Sequence, residues 1–238
     1  MEINGNVSIG ASTILNAGAF SHNIYGNWLN EGTFNGNTGT IVLLGTGSLV
    51  SGSGSHNFNN LTVAASQVSF SATSITLSGN LSTISSGSFS QASGGTLLMT
   101  GTSKTITGSG ILLDNFSVSG SVTTTTSFSI AGNMFVSGTL LASSGTIQMT
   151  GTSKTISGSG SKTFNTLFIS GAITTTADLT ISAVLNVNGS LTASSGTTTF
   201  TGASSLSGIA NLYNATINGT SLQLSSNAVL GIANALTI

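Results

Sequence analysis

The chain has 238 residues, 38% hydrophobic and 3% charged, with a net charge of −1. An ordinary globular protein is roughly 25% charged; here Glu2, Glu31, Asp114, Asp178, Lys104, Lys154 and Lys162 are the whole inventory. No basic surface exists to displace counterions from phosphates, which argues against nucleic acid as a partner.

The densest apolar run, Ile41-Val42-Leu43-Leu44, falls far short of the ~20 residues of a membrane-crossing helix, so no membrane span is expected. Cysteine is absent, and with it disulfide and thiol chemistry. Proline is also absent while glycine numbers 32. Glycine makes turns and keeps its backbone donor, whereas proline would remove one from a strand ladder.

The first segment, MEINGNVSIG, lacks the cationic and apolar regions of a secretory leader. Either a leader was removed, or the chain is a segment of something longer. Next comes HNIYGNWLN, where His22, Tyr25 and Trp28 mix rings with amides. Such rings can stack on a sugar face. The competing reading has Trp28 filling a wide end coil or meeting a neighbouring segment.

From Gly39 the chain repeats itself. Copies begin GTIVLLGTGSLVSGSG at Gly39, GTLLMTGTSKTITGSG at Gly95, GTIQMTGTSKTISGSG at Gly145 and GTTTFTGASSLSG at Gly196. A second landmark follows each: FNNLTV, LDNFSV, FNTLFI and LYNATI. A third is a Gly-Asn turn ahead of an apolar strand, as at Gly5-Asn6, Gly26-Asn27, Gly79-Asn80 and Gly132-Asn133. Internal repeats of this period mark arrays.

Between landmarks lie short runs such as TIQMT, TLFIS, LTISA and LNVNG. They alternate apolar with small polar residues, are rich in β-branched side chains, and are bounded by Gly, Ser or Asn, all signs of strands. No run carries a helical apolar stripe. The expected fold is all-β, a single continuous parallel β-solenoid over 1–238. Crossover chirality favours a right-handed one.

Halving a period near 50 gives coils of roughly 21–27 residues with three strands each, about nine coils and a rod of roughly 45 Å at ~4.8 Å per rung. On this reading each repeat is a double coil, and equivalent residues of successive copies stack. Asn59, Asp114 and Asn165 should then share one corner and form a ladder up it.

The sequence GTSKT at 101–105 and 151–155 superficially suggests a phosphate loop. A Walker loop needs lysine directly after the second glycine and a helix after that. Here Ser precedes Lys104 and Lys154 and strands follow, so the lysines read as solvated residues on strand edges. Clustered carboxylates of the kind polysaccharide-cleaving solenoids need are missing, since the four acids are far apart. His22 and His56 have no metal-spaced or triad partners. No catalytic residue, metal ligand or cofactor site is expected.

Three threonine runs could present an array of hydroxyls and methyls of the ice-binding kind, through Thr124, Thr126, Thr174, Thr176, Thr197 and Thr199. Threonine is also simply a good strand residue. Seven N-x-[ST] sites (Asn6, Asn60, Asn80, Asn115, Asn188, Asn214 and Asn218) permit glycosylation without indicating it.

The arrangement GTIQMTGTSKTISGSG…FNTLFISG…LTISAVLNVNGSLTASSGT resembles repeats of large secreted bacterial surface proteins. These belong to the β-solenoid class that includes autotransporter passengers and filamentous adhesins. The resemblance rests on repeat style and covers nearly the whole chain. It implies a non-enzymatic extracellular or cell-surface stalk, adhesin or fibre segment. Its partners would be further copies of itself, flanking segments of a longer chain, or surface glycans. Alternatives are an ice-binding solenoid using the threonine strands and a glycan-binding or phage-fibre-like module.

Overall fold

The computed structural model describes residues 1–71 and 74–238. The chain forms two compact units, Met1–Val122 and Thr123–Ile238. Each is a parallel β-solenoid, and among the described residues there is no helix. The two hold about 12 turns between them.

In the N-terminal unit each turn lays down three short strands, one on each of three walls. The first wall stacks Glu2–Ile3, Ser21–Ile24, Thr40–Leu43, Asn60–Val63 and Leu81–Thr83. The second stacks Val7–Ile9, Trp28–Asn30, Leu49–Ser51, Val68–Phe70, Phe89–Gln91 and Ile111–Leu113. The third stacks Ile14–Asn16, Thr33–Asn35, Ser55–Phe58, Ser74–Leu77, Thr96–Met99 and Asn115–Val118.

Alternation along each strand sends apolar side chains inward and Ser, Thr and Asn outward. The parallel register then stacks inward residues on one another, as in the column Phe34, His56, Ile75, Leu97 and Phe116. In the C-terminal unit Phe128, Ile147, Leu167, Leu185 and Leu206 form a similar column. Each fully buried side chain of this size contributes about 1.5–3 kcal/mol of burial. That column is how a chain with so few charges acquires a core.

The coil is shorter than half the repeat. Thr40 pairs with Asn60 and Leu61 with Leu81, one turn apart in each case. Hence there are about 12 turns where nine are expected.

The ~50-residue repeat is not a double coil. The copy from Gly39 opens on strand Thr40–Leu43 of the first wall, and the copy from Gly95 opens on Thr96–Met99 of the third. Eight strands separate them, two and two-thirds turns. In the C-terminal unit the copy from Gly145 opens on the wall of Phe128–Ile130, whereas 197–200 stack on 179–181, a different wall. Eight strands are one short of three full turns, so the motif falls back by one wall between the copies at Gly39 and Gly95. Equivalent residues of successive copies face different directions instead of stacking.

Candidate functional site

The out-of-phase repeat decides where the candidate residues fall. Asn59 turns the chain from Ser55–Phe58 into Asn60–Val63, from the third wall to the first. Asp114 turns it from Ile111–Leu113 into Asn115–Val118, from the second wall to the third. Asn165 lies inside Ser161–Ile169, at the bend between Phe164 and Thr166. The expected single-corner ladder of Asn59, Asp114 and Asn165 is therefore not formed, because eight strands do not divide into whole three-strand coils.

Each residue does make the turn contacts expected of it. Asn59 Nδ2 donates to the Gly39 carbonyl at 3.3 Å. Asp114 Oδ2 accepts from Gly94 N–H at 2.7 Å and from Asn115 Nδ2 at 2.9 Å. Asn165 Nδ2 donates to Thr166 Oγ1 at 3.3 Å.

A different asparagine ladder exists, and the Gly-Asn turns were its signal. Asn6 Oδ1 accepts from Asn27 N–H at 2.8 Å, and Asn27 Oδ1 accepts from Leu49 N–H at 2.9 Å. At another corner Asn60 Oδ1 accepts from Asn80 N–H and Asn80 Oδ1 from Thr105 N–H, both at 2.9 Å. In the C-terminal unit Asn133 and Asp178 bond Thr155 N–H and Thr197 N–H in the same way. Each carbonyl captures a backbone donor one coil away, where the corner interrupts the ladder.

His22, Tyr25 and Trp28 do not form a surface cluster. Trp28 points into the core and is 1% exposed, edge-on to Phe34 with ring centroids 4.6 Å apart. Phe58 lies 5.5 Å from it. Trp28 is thus the filler of a wide coil and offers no face to a sugar. His22 is half-buried, its Nε2 2.8 Å from the Ala17 carbonyl. Tyr25 is exposed. Trp28 and His22 do share the wall of a cavity of about 140 Å³ at the first coil, together with Met1, Ile3, Leu15 and Phe34. The indole N–H of Trp28 is buried with no acceptor.

Two basic residues are buried in the walls. His56 is 2% exposed, with Nε2 3.4 Å from the Gly52 carbonyl and Nδ1 unpartnered. Burial pushes its imidazole below the ordinary value, opposed by the Gly52 carbonyl and by Glu31. Glu31 is itself exposed and held low by the Ser53 hydroxyl and N–H that donate to it. These hydrogen bonds tie a corner together and do not join His56 to Ser53.

Lys162 is 2% exposed and donates from Nζ to the carbonyls of Gly158 at 2.6 Å and Gly160 at 2.7 Å. Burial lowers its pKa, and Asp178 partly restores it. Among the described residues no group of three or more His, Cys, Asp or Glu could hold a metal ion.

The six candidate threonines do not form one face. Thr124 is buried, its Oγ1 bonded to the backbone of Thr126. Thr126 and Thr176 sit in corners outside the strands. Thr174 lies on Ala172–Thr175, whereas Thr197 and Thr199 stack on the separate wall of 179–181. Coil spacing, not repeat spacing, produces the registered threonines. Thr155, Thr174 and Thr192 align and are exposed on one wall, and Thr163, Thr180 and Thr199 align on another.

The outer faces thus carry hydroxyls, amides and backbone, interspersed with exposed apolar side chains such as Leu29, Leu49, Leu112 and Phe135. No family model, curated protein or solved structure matches this chain. No helix among the described residues is long and apolar enough to cross a membrane.

Proposed function

We propose that the chain is a non-enzymatic structural or adhesive element of an extracellular, cell-surface assembly. It is a stalk or filament segment whose coils stack end to end with further coils of the same kind. One observation carries this reading. In both units the strands pair in parallel with their equivalents in the neighbouring coils, so that coil after coil presents a rung of the same kind to the next. Such rungs are templates for adding strands. Negative-stain microscopy of the purified chain tests it. Extended chains of particles support the reading, and a strictly monodisperse compact particle at every concentration overturns it.

A second reading, binding to ice, is favoured by the exposed register of Thr155, Thr174 and Thr192. It requires thermal hysteresis that Thr174→Lys abolishes. Freezing-point behaviour identical to that of an inert protein excludes it.

A further inference from the structure

Exposed apolar side chains are scattered over the outer faces, and at one place two of them meet unused hydrogen-bond donors. Resting on the adhesive reading given above, we propose that this place, a groove on the second wall of the N-terminal unit, is a binding site for a neutral saccharide.

The parallel register builds the groove from two columns. Asn6, Asn27 and Leu49 follow one another up the wall, Asn6 Oδ1 accepting from Asn27 N–H and Asn27 Oδ1 from Leu49 N–H. Beside them stand Ser8, Leu29 and Ser51, paired in that order. Together they line an open groove of about 410 Å³, within the usual size range of small-molecule sites. Asn6, Ser8, Asn27, Leu29 and Leu49 are all exposed. Coils stacked in line would therefore lengthen the groove and leave it unfilled.

The lining chemistry selects the ligand. Each asparagine spends Oδ1 on the ladder, which leaves its Nδ2 donors for a guest. The two amides stand one rung apart, ~4.8 Å. Ser8 and Ser51 add hydroxyl oxygens, Ser51 Oγ donating to the Trp28 carbonyl at 3.5 Å. Leu29 and Leu49 are 40% and 39% exposed and sit diagonally across the groove. No lining residue is charged. A saccharide ring meets each of these: C–H groups for the leucines, oxygens for the amides, hydroxyl hydrogens for the serines, and no net charge.

A protein partner fits less well. Up the wall Leu49 pairs with Ser69, and Ser69 with Ser90, so the apolar ground ends after two leucines. A stable protein interface takes about 20–30 residues a side, and seven line this groove.

The ladder itself supplies the test variant. Asp178 holds the same kind of position in the C-terminal unit, its Oδ1 accepting from Thr197 N–H at 2.8 Å. Asn27→Asp therefore keeps the acceptor for Leu49 N–H and removes the amide donors. Leu29→Ser removes exposed apolar surface only. Circular dichroism and thermal melts of both should match the parent chain. Equilibrium dialysis of the whole chain against cellotriose and triacetylchitotriose should show saturable, millimolar binding of one or both. Asn27→Asp and Leu29→Ser should each weaken it about tenfold. Asn80→Asp, at another corner, should leave it unchanged.

No binding of either trisaccharide at tens of millimolar, or binding that both variants retain, overturns the site. Neither result bears on end-to-end stacking, which microscopy reads separately. Trigalacturonate bound more tightly than the neutral sugars overturns the neutral class. Self-association of the parent chain that Leu29→Ser abolishes in sedimentation assigns the groove to a second copy and overturns the proposal.

Discussion

Lys162 folds back onto the carbonyl of Gly158, four residues earlier, and its Nζ lies 2.6 Å from that oxygen. His56 makes the same reach to Gly52 at 3.4 Å. Both sit in the same place in the repeat, GSGSH at 52–56 and GSGSK at 158–162. Gly52 and Gly158 both have left-handed φ, 110° and 95°, a conformation costly for a residue with a Cβ. The turn leaves a carbonyl beside the apolar core, and the buried basic side chain supplies its donor.

Replacing Lys162 by methionine keeps most of the apolar stem but leaves the Gly158 and Gly160 carbonyls without that donor. An unsatisfied buried polar group costs about 1–3 kcal/mol, offset in part because a buried ammonium is itself expensive. A net loss of about 1–2 kcal/mol is expected in urea unfolding of the chain. An unchanged midpoint would mean that water reaches both carbonyls.

Acid should weaken the N-terminal unit through His56. Burial holds its folded pKa below the ordinary 6.5, so the unfolded chain binds more protons once the pH drops into that range. The stability contributed by the neutral ring is complete above the ordinary value and is lost as the pH falls through it and below. Glu31, held below 4.5, adds a further loss at still lower pH. The thermal midpoint should decline from about pH 7 to about pH 5, and His56→Leu should flatten that stretch of the curve. A decline equally steep in the variant would assign the effect elsewhere.

Asn30 is 0% exposed in the N-terminal unit. Its Nδ2 donates to the Ser55 carbonyl at 2.9 Å and its Oδ1 accepts from Gly32 N–H at 3.0 Å. Leucine has nearly the same shape and would strand both backbone groups. Asn30→Leu should cost about 2–4 kcal/mol despite being more apolar, since each stranded group costs about 1–3 kcal/mol. Hydrogen exchange at Gly32 should accelerate in the variant, and slow exchange there would refute the account.

Phe34 is 1% exposed and touches both Trp28 and Phe58, with centroids 4.6 and 5.1 Å away. Truncating a buried aromatic typically costs about 3–5 kcal/mol, because the cavity collapses only partly. Phe34→Ala should therefore be the most damaging of these substitutions, read as a shift in the urea midpoint and in the near-ultraviolet signal of Trp28. A loss under about 1 kcal/mol would show that the first coils are loosely packed.

The strands were legible because their signal is local. Alternation, β-branched residues and glycine punctuation act within a few residues, and FNNLTV or TLFIS reads as strand without knowing its neighbours. The hydroxyl-rich surface and the scarcity of charge likewise follow from composition alone. The Gly-Asn turns were visible too, and the asparagine ladder through Asn6 and Asn27 stands on them.

Trp28 was harder, because a ring beside amides reads equally as a binding face or a core filler. Only the alternation of Trp28–Asn30 against its neighbours on the second wall turns it inward.

What the sequence determines by itself is the building unit: short parallel strands, three to a coil, with apolar residues inside. What only the tertiary structure decides is the phase between that unit and the repeat. The chain copies itself every eight strands while the coil closes every three, and no local preference of any residue encodes the difference. It depends on how many residues each corner consumes, and so on backbone pairing between Thr40 and Asn60 or Thr163 and Thr180. For that reason Asn59 and Asp114 occupy different corners, while Thr155, Thr174 and Thr192, from unlike parts of the repeat, stand in line.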